Sequence, residues 1–106
     1  MDVQATSQFL EQVRILISKG DYLFITRKKN MDTIAIIGIT IPQAMEEIKT
    51  LSYREYLSGP KKDHSGDGTD IWEFGKEING EDVYVKIKID SRGCVCLSFH
   101  LAEKPF

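Results

Sequence analysis

The dipeptide Asn79-Gly80 stands between two runs of alternating apolar and polar residues. It is the pair best suited to a type I′ turn, which needs positive φ at both central positions. The surrounding chain therefore reads as a two-residue hairpin with Ile78 opposite Glu81. Counting back from the turn, Val85 faces Phe74, Ile87 faces Trp72, Tyr84 faces Gly75 and Lys86 faces Glu73. Side chains alternate across a strand, so the apolar set lies on one sheet face and Glu73, Tyr84 and Lys86 on the other.

The next connection, around Ser91-Arg92-Gly93, accepts two or three residues, and a slip of one would turn every later side chain to the opposite face. A three-residue loop lets Gly93 supply the left-handed position. It sends Val95, Leu97, Phe99 and Leu101 to the apolar face with Val83, Val85, Ile87 and Ile89. A two-residue loop would bury Ser98 and His100 among valines. The three-residue loop is therefore expected, with Cys96 opposite Lys88, Ser98 opposite Lys86 and His100 opposite Tyr84.

The rest of the chain supplies helices to cover the apolar face. Phe9, Leu10, Val13, Leu16 and Ile17 fall on one helical stripe within residues 3 to 19, and Gly20 sits where a left-handed cap would end it. Thr40-Ile41-Pro42-Gln43 carries a capping box with Pro in the first turn, ahead of a face made by Ala44, Met45, Ile48 and Leu51 and an end near Thr50. Between them the pattern of residues 22 to 39 leaves two readings open: the β-branched run 33 to 39 favours a strand, whereas Asn30 or Asp32 could cap a short helix. Residues 58 to 70 hold turn formers and no periodic apolar residue, and read as a long exposed loop. Strands follow at 71 to 78, 82 to 90 and 94 to 101. The expected architecture is a single α+β domain, residues 1 to 106, with helices packed on one face of a small antiparallel sheet.

Composition narrows the functional classes. Fourteen basic and sixteen acidic side chains give a net charge of -2, so any site for a polyanion must be local. No apolar run approaches the roughly 18 residues of a membrane helix, and Met1-Asp2 does not begin a basic, then apolar, leader. Cys94 and Cys96, two apart in a strand, are badly spaced for a disulfide, and a reducing cytoplasm is the expected setting.

On the open face, Glu73, Tyr84, Lys86 and His100 bring together a carboxylate, a hydroxyl, a fixed cation and a group that titrates near neutrality. Those are the parts needed for metal-free RNA cleavage: a base takes the 2′-hydroxyl proton, a cation stabilises the phosphorane, and an acid protonates the leaving 5′-oxygen. The plainer reading is a solvated face with an ordinary Glu73–Lys86 cross-strand pair. Lys61, Lys62 and His64 in the loop, with Lys88 and Ser98 on the sheet, are candidate RNA contacts. Other chemistry has less support. His100 stands about 13 Å along an extended strand from Cys96, too far for both to share one metal ion. Asp63, Asp67 and Asp70 lack calcium-loop spacing. Trp72 and Phe74 fall on the apolar face rather than on a base-stacking surface. No glycine-rich loop joins a strand to a helix to hold a nucleotide cofactor, and no cofactor or metal is expected.

Tyr56-Leu57-Ser58-Gly59-Pro60, Trp72-Glu73-Phe74-Gly75-Lys76, Asp82-Val83-Tyr84-Val85-Lys86-Ile87 and Leu97-Ser98-Phe99-His100 together resemble, in order and spacing, the C-terminal half of the motility quorum-sensing regulator (MqsR) family. The resemblance covers residues 53 to 106. It implies a RelE-like two-layer fold, cleavage of mRNA, either free or on the ribosome, and neutralisation by a cognate antitoxin protein. Neither a membrane nor DNA alone is implied as a partner. It places Tyr84 and Lys86 in the family's Val-Tyr-Leu-Lys-Ile strand. Glu73 stands where the family has Gln after Trp, and His100 where it has Lys after Ser-Phe. Leu57 replaces a Lys that follows Phe-Tyr. The expected catalytic set is His100, Glu73, Lys86 and Tyr84.

Overall fold

The computed structural model describes all 106 residues. Helix α1 (Val3–Ser18) starts where the Asp2 carboxylate accepts the Ala5 amide at 3.0 Å, and it buries Thr6, Leu10, Val13 and Ile17. Gly20, at φ 76°, ends it as its position suggests. The undecided segment splits into strand β1 (Tyr22–Phe24) and helix α2 (Lys28–Ile37). The β-branched run is helical as far as Ile37 because Asn30, Thr33, Ile34 and Ile37, at helical spacing, share the buried face, and because Gly38 takes the left-handed capping conformation. Helix α3 (Ile41–Lys49) carries the Thr40–Gln43 capping box and buries Ala44, Met45 and Ile48.

Strands β2 (Tyr56–Lys62), β3 (Asp70–Ile78), β4 (Glu81–Asp90) and β5 (Gly93–Leu101) complete a five-stranded sheet of order β1-β5-β4-β3-β2. The α+β class and the two layers are as expected. The helices pack with Trp72, Phe74, Val83, Val85, Ile87 and Phe99 into one core. Burial of such side chains contributes roughly 1.5–3 kcal/mol each relative to exposure. No helix is long and apolar enough to cross a membrane.

Three expectations are corrected. The sheet is mixed, because β1 runs parallel to β5; three residues are too few to carry a strand pattern. The supposed loop 58 to 70 is partly strand: β2 pairs with β3 as far as Lys62 opposite Asp70, and only residues 63 to 69 form the connection. β2 hides its pattern because two register shifts interrupt its alternation. The third correction concerns the β4–β5 turn, which has two residues between Asp90 and Gly93. A bulge in β5 at Leu97 then inserts the extra residue, so Ile87 faces Cys96 while Lys86 faces Ser98. Cys94 and Cys96 consequently join the core, Cys96 does not face Lys88, and Val95 and Leu97 leave the apolar face. Beyond the bulge the register is as expected, with Tyr84 opposite His100.

α2 also closes the edge of β5 that the short β1 leaves unpaired. The Asn30 side chain, fully buried, donates to the carbonyls of Ile25 and Leu97 at 2.9 and 3.0 Å and accepts the Phe99 amide at 3.0 Å. Thr33 Oγ1 accepts the Leu101 amide one step further on.

Candidate functional site

The sheet face turned away from the helices carries Glu73, Tyr84, Lys86 and His100, in the register that Asn79-Gly80 dictates. Asn79 and Gly80 both have positive φ, as the I′ turn requires. The rings of Tyr84 and His100 stack with centroids 5.1 Å apart at 28°. His100 Nδ1 lies 3.0 Å from the Leu101 carbonyl. That oxygen can only accept, which fixes the Nδ1–H tautomer in the neutral ring and leaves Nε2 free.

Glu73 is the electrostatic centre. Lys61 Nζ approaches one carboxylate oxygen at 3.5 Å and Lys86 Nζ the other at 3.8 Å. Partial burial pushes the Glu73 carboxyl up, but the adjacent Tyr84 and Ser58 hydroxyls and the two ammonium groups outweigh it and hold the carboxyl below its usual range. Burial first, and the Glu73 carboxylate second, push the Tyr84 phenol far above its ordinary value. Near neutrality Glu73 is therefore an anion able to accept a proton, and Tyr84 is a neutral hydroxyl donor.

A cavity of about 330 Å³ opens beside the stack, lined by Tyr84, His100, Ala102, Glu103, Lys104 and Phe106. The Phe106 ring lies over Gly75, where any Cβ would come within 2.7 Å of the ring. No local pattern in the chain signals that Phe106 returns to this face.

The RNA-contact candidates disperse. Lys61 joins the cluster through Glu73, Lys62 pairs with Asp70 at 2.7 Å, and His64 is exposed in the 63–69 connection. Lys88 is corrected: its ammonium is buried among Asp63, Asp67 and Asp90 at 2.8, 3.3 and 3.4 Å, out of reach of a phosphate. Ser98 is corrected as well, being buried with its hydroxyl accepting from the Arg27 guanidinium. Leu57 is exposed on β2 and supplies no cation. Cys94 and Cys96 lie in the core, on the opposite side of the sheet from His100, and burial raises both thiols. No group of three or more His, Cys, Asp or Glu side chains is arranged to hold a metal ion.

No protein-family model matches the chain, and no curated protein matches it.

Proposed function

We propose that the protein is a cytoplasmic, metal-independent endoribonuclease, the toxin of a bacterial toxin–antitoxin pair, acting on mRNA. The observation that carries this reading is the Tyr84–His100 stack beside a Glu73 carboxylate flanked by Lys86 and Lys61. The resemblance of residues 53 to 106 to MqsR-type toxins points the same way, and the cognate antitoxin rests on that resemblance.

In this mechanism Glu73, kept ionised by its neighbours, accepts the 2′-hydroxyl proton as the 2′-oxygen bonds to phosphorus. The bond from phosphorus to the 5′-oxygen breaks, and His100, charged, gives that oxygen its proton from Nε2. Lys86 stabilises the extra negative charge on the phosphorane. Tyr84 orients the imidazole by stacking and offers its hydroxyl to a phosphate oxygen or a base. The products are a 2′,3′-cyclic phosphate and a free 5′-hydroxyl.

A binding module without catalysis is the second reading. It is favoured by the engagement of Glu73 with two lysines and a tyrosine, which is also what a purely structural cluster would show. One assay separates the two. Incubation of the purified protein with mRNA in the presence of a chelator is expected to produce cyclic-phosphate ends. Intact RNA, with the protein folded, leaves the binding module. Cleavage that strictly requires a divalent ion overturns the proposed chemistry.

A further inference from the structure

The residue before α2 has no role in the scheme above. Arg27 is exposed and has no carboxylate within ion-pairing distance, unlike Lys61 and Lys86, which pair with Glu73, and Lys88, which pairs with three aspartates. Its guanidinium is nevertheless held in place. One terminal nitrogen donates to Ser98 Oγ, and Nε donates to Asn30 Oδ1 at 3.4 Å. Both anchors are buried, and Asn30 is itself fixed by three backbone bonds. Ser98 is the cross-strand partner of Lys86, so the anchored guanidinium and the Lys86 ammonium stand over adjacent strands. A depression of about 250 Å³ is lined by Arg27, Lys86, Ser98, Ser65 and Leu97, the last placed there by the bulge in β5. Asp63 also borders it, but that carboxylate is turned to the Lys88 ammonium.

We infer that Arg27 is a phosphate-binding residue, and that it seats a phosphodiester of single-stranded RNA next to the scissile one, which lies at Lys86. The inference rests on the proposed ribonuclease reading. A guanidinium with free donors, already immobilised, suits a phosphate because its fork binds two oxygens and little side-chain freedom is lost on binding. A mobile, solvated arginine would have neither anchor.

The test is fluorescence anisotropy with a labelled, fully 2′-O-methylated oligoribonucleotide, which lacks the attacking hydroxyl and so reports binding alone, measured over a range of salt concentrations. Arg27→Gln is expected to weaken binding about five- to tenfold and to reduce the slope of log affinity against log salt by about 0.7, the value of one phosphate contact on a single strand. Arg27→Lys is expected to keep the slope while binding more weakly than wild type, because it keeps the charge and loses the fork. Circular dichroism establishes that each variant is folded. Wild-type binding matched by Arg27→Gln in affinity and slope overturns the role of Arg27 and leaves the ribonuclease reading standing. No binding by wild type overturns both.

Discussion

Lys86 and Lys88 are the same residue type on the same strand and the same sheet face, two positions apart, yet they do different work. The Lys86 side chain keeps 34% of its exposure and has one carboxylate at 3.8 Å; that of Lys88 keeps 3% and has three between 2.8 and 3.4 Å. The difference comes from what lies above them. The 63–69 connection folds down on Lys88 and brings Asp63 and Asp67, whereas nothing comparable covers Lys86. One end of the face is thus an ionic seal and the other an accessible array of a histidine, a tyrosine and a cation. Charge on a strand says little about function until the loops that cover it are known.

The largest expected effect is at the open end. His100→Ala should lower RNA cleavage by roughly two to four powers of ten, the usual worth of a placed proton-transfer group, with little change in melting temperature. Single-turnover cleavage of a labelled RNA measures it. Equal activity in variant and wild type would remove His100 from the mechanism.

At the sealed end the effect should appear in stability. Lys88→Met strands three carboxylates around a missing cation, and thermal unfolding should fall by about 10 °C or more. A second replacement, Asp63→Asn, should recover part of the loss if the seal is electrostatic. An unchanged melting temperature would show that the cluster contributes nothing.

Acid should distinguish the two ends more gently. Asp90 is lowered to about 2, chiefly by Arg92, whose hydrogen bonds outweigh the burial that opposes them. Asp63 is lowered chiefly by Lys88, and Asp67 chiefly by hydrogen bonds from Thr69. A folded-state value below the unfolded one, about 3.9 for Asp, gives stability that is complete above that pH and lost as pH falls through the folded value. Melting temperature should therefore hold from pH 7 to about 5 and drop between about 4 and 2. Lys88→Met should show a shallower drop, and a parallel curve would break the link between the seal and acid stability.

The smallest effect on stability belongs to Lys86→Ala, which should leave the melting temperature unaltered while it slows RNA cleavage, weakens binding a few-fold and lowers the salt slope by about 0.7. A melting temperature that falls as far as in Lys88→Met would erase the contrast between the two lysines.

The register that assembles Glu73, Tyr84, Lys86 and His100 was legible because a single turn, Asn79-Gly80, sets one hairpin and alternation does the rest. The β4–β5 turn was not. A three-residue loop and a two-residue loop followed by a bulge place residues 98 to 101 identically, so the pattern of that stretch cannot tell them apart. Only residues 93 to 97 differ, and there the strand is apolar in both directions. The burial of Lys88 and the approach of Arg27 and Phe106 depend on segments packed across the sheet from elsewhere in the chain, which no local pattern encodes. The fold class was readable from the helical stripes and strands; the parallel placement of β1 was not, since it rests on three residues.

Asn30 does the job of a missing strand. Where β1 stops, its amide occupies hydrogen-bonding groups of β5 that would otherwise invite another chain. The opposite border, β2, carries Pro60, Lys61 and Lys62, residue types that discourage pairing by themselves. Protection of the β5 edge beyond β1 therefore rests on Asn30, with Thr33 covering only the Leu101 amide. Its loss would open a template for self-association, so damage to Asn30 should show itself in concentrated solution as strand-mediated aggregation as well as in a lower melting point.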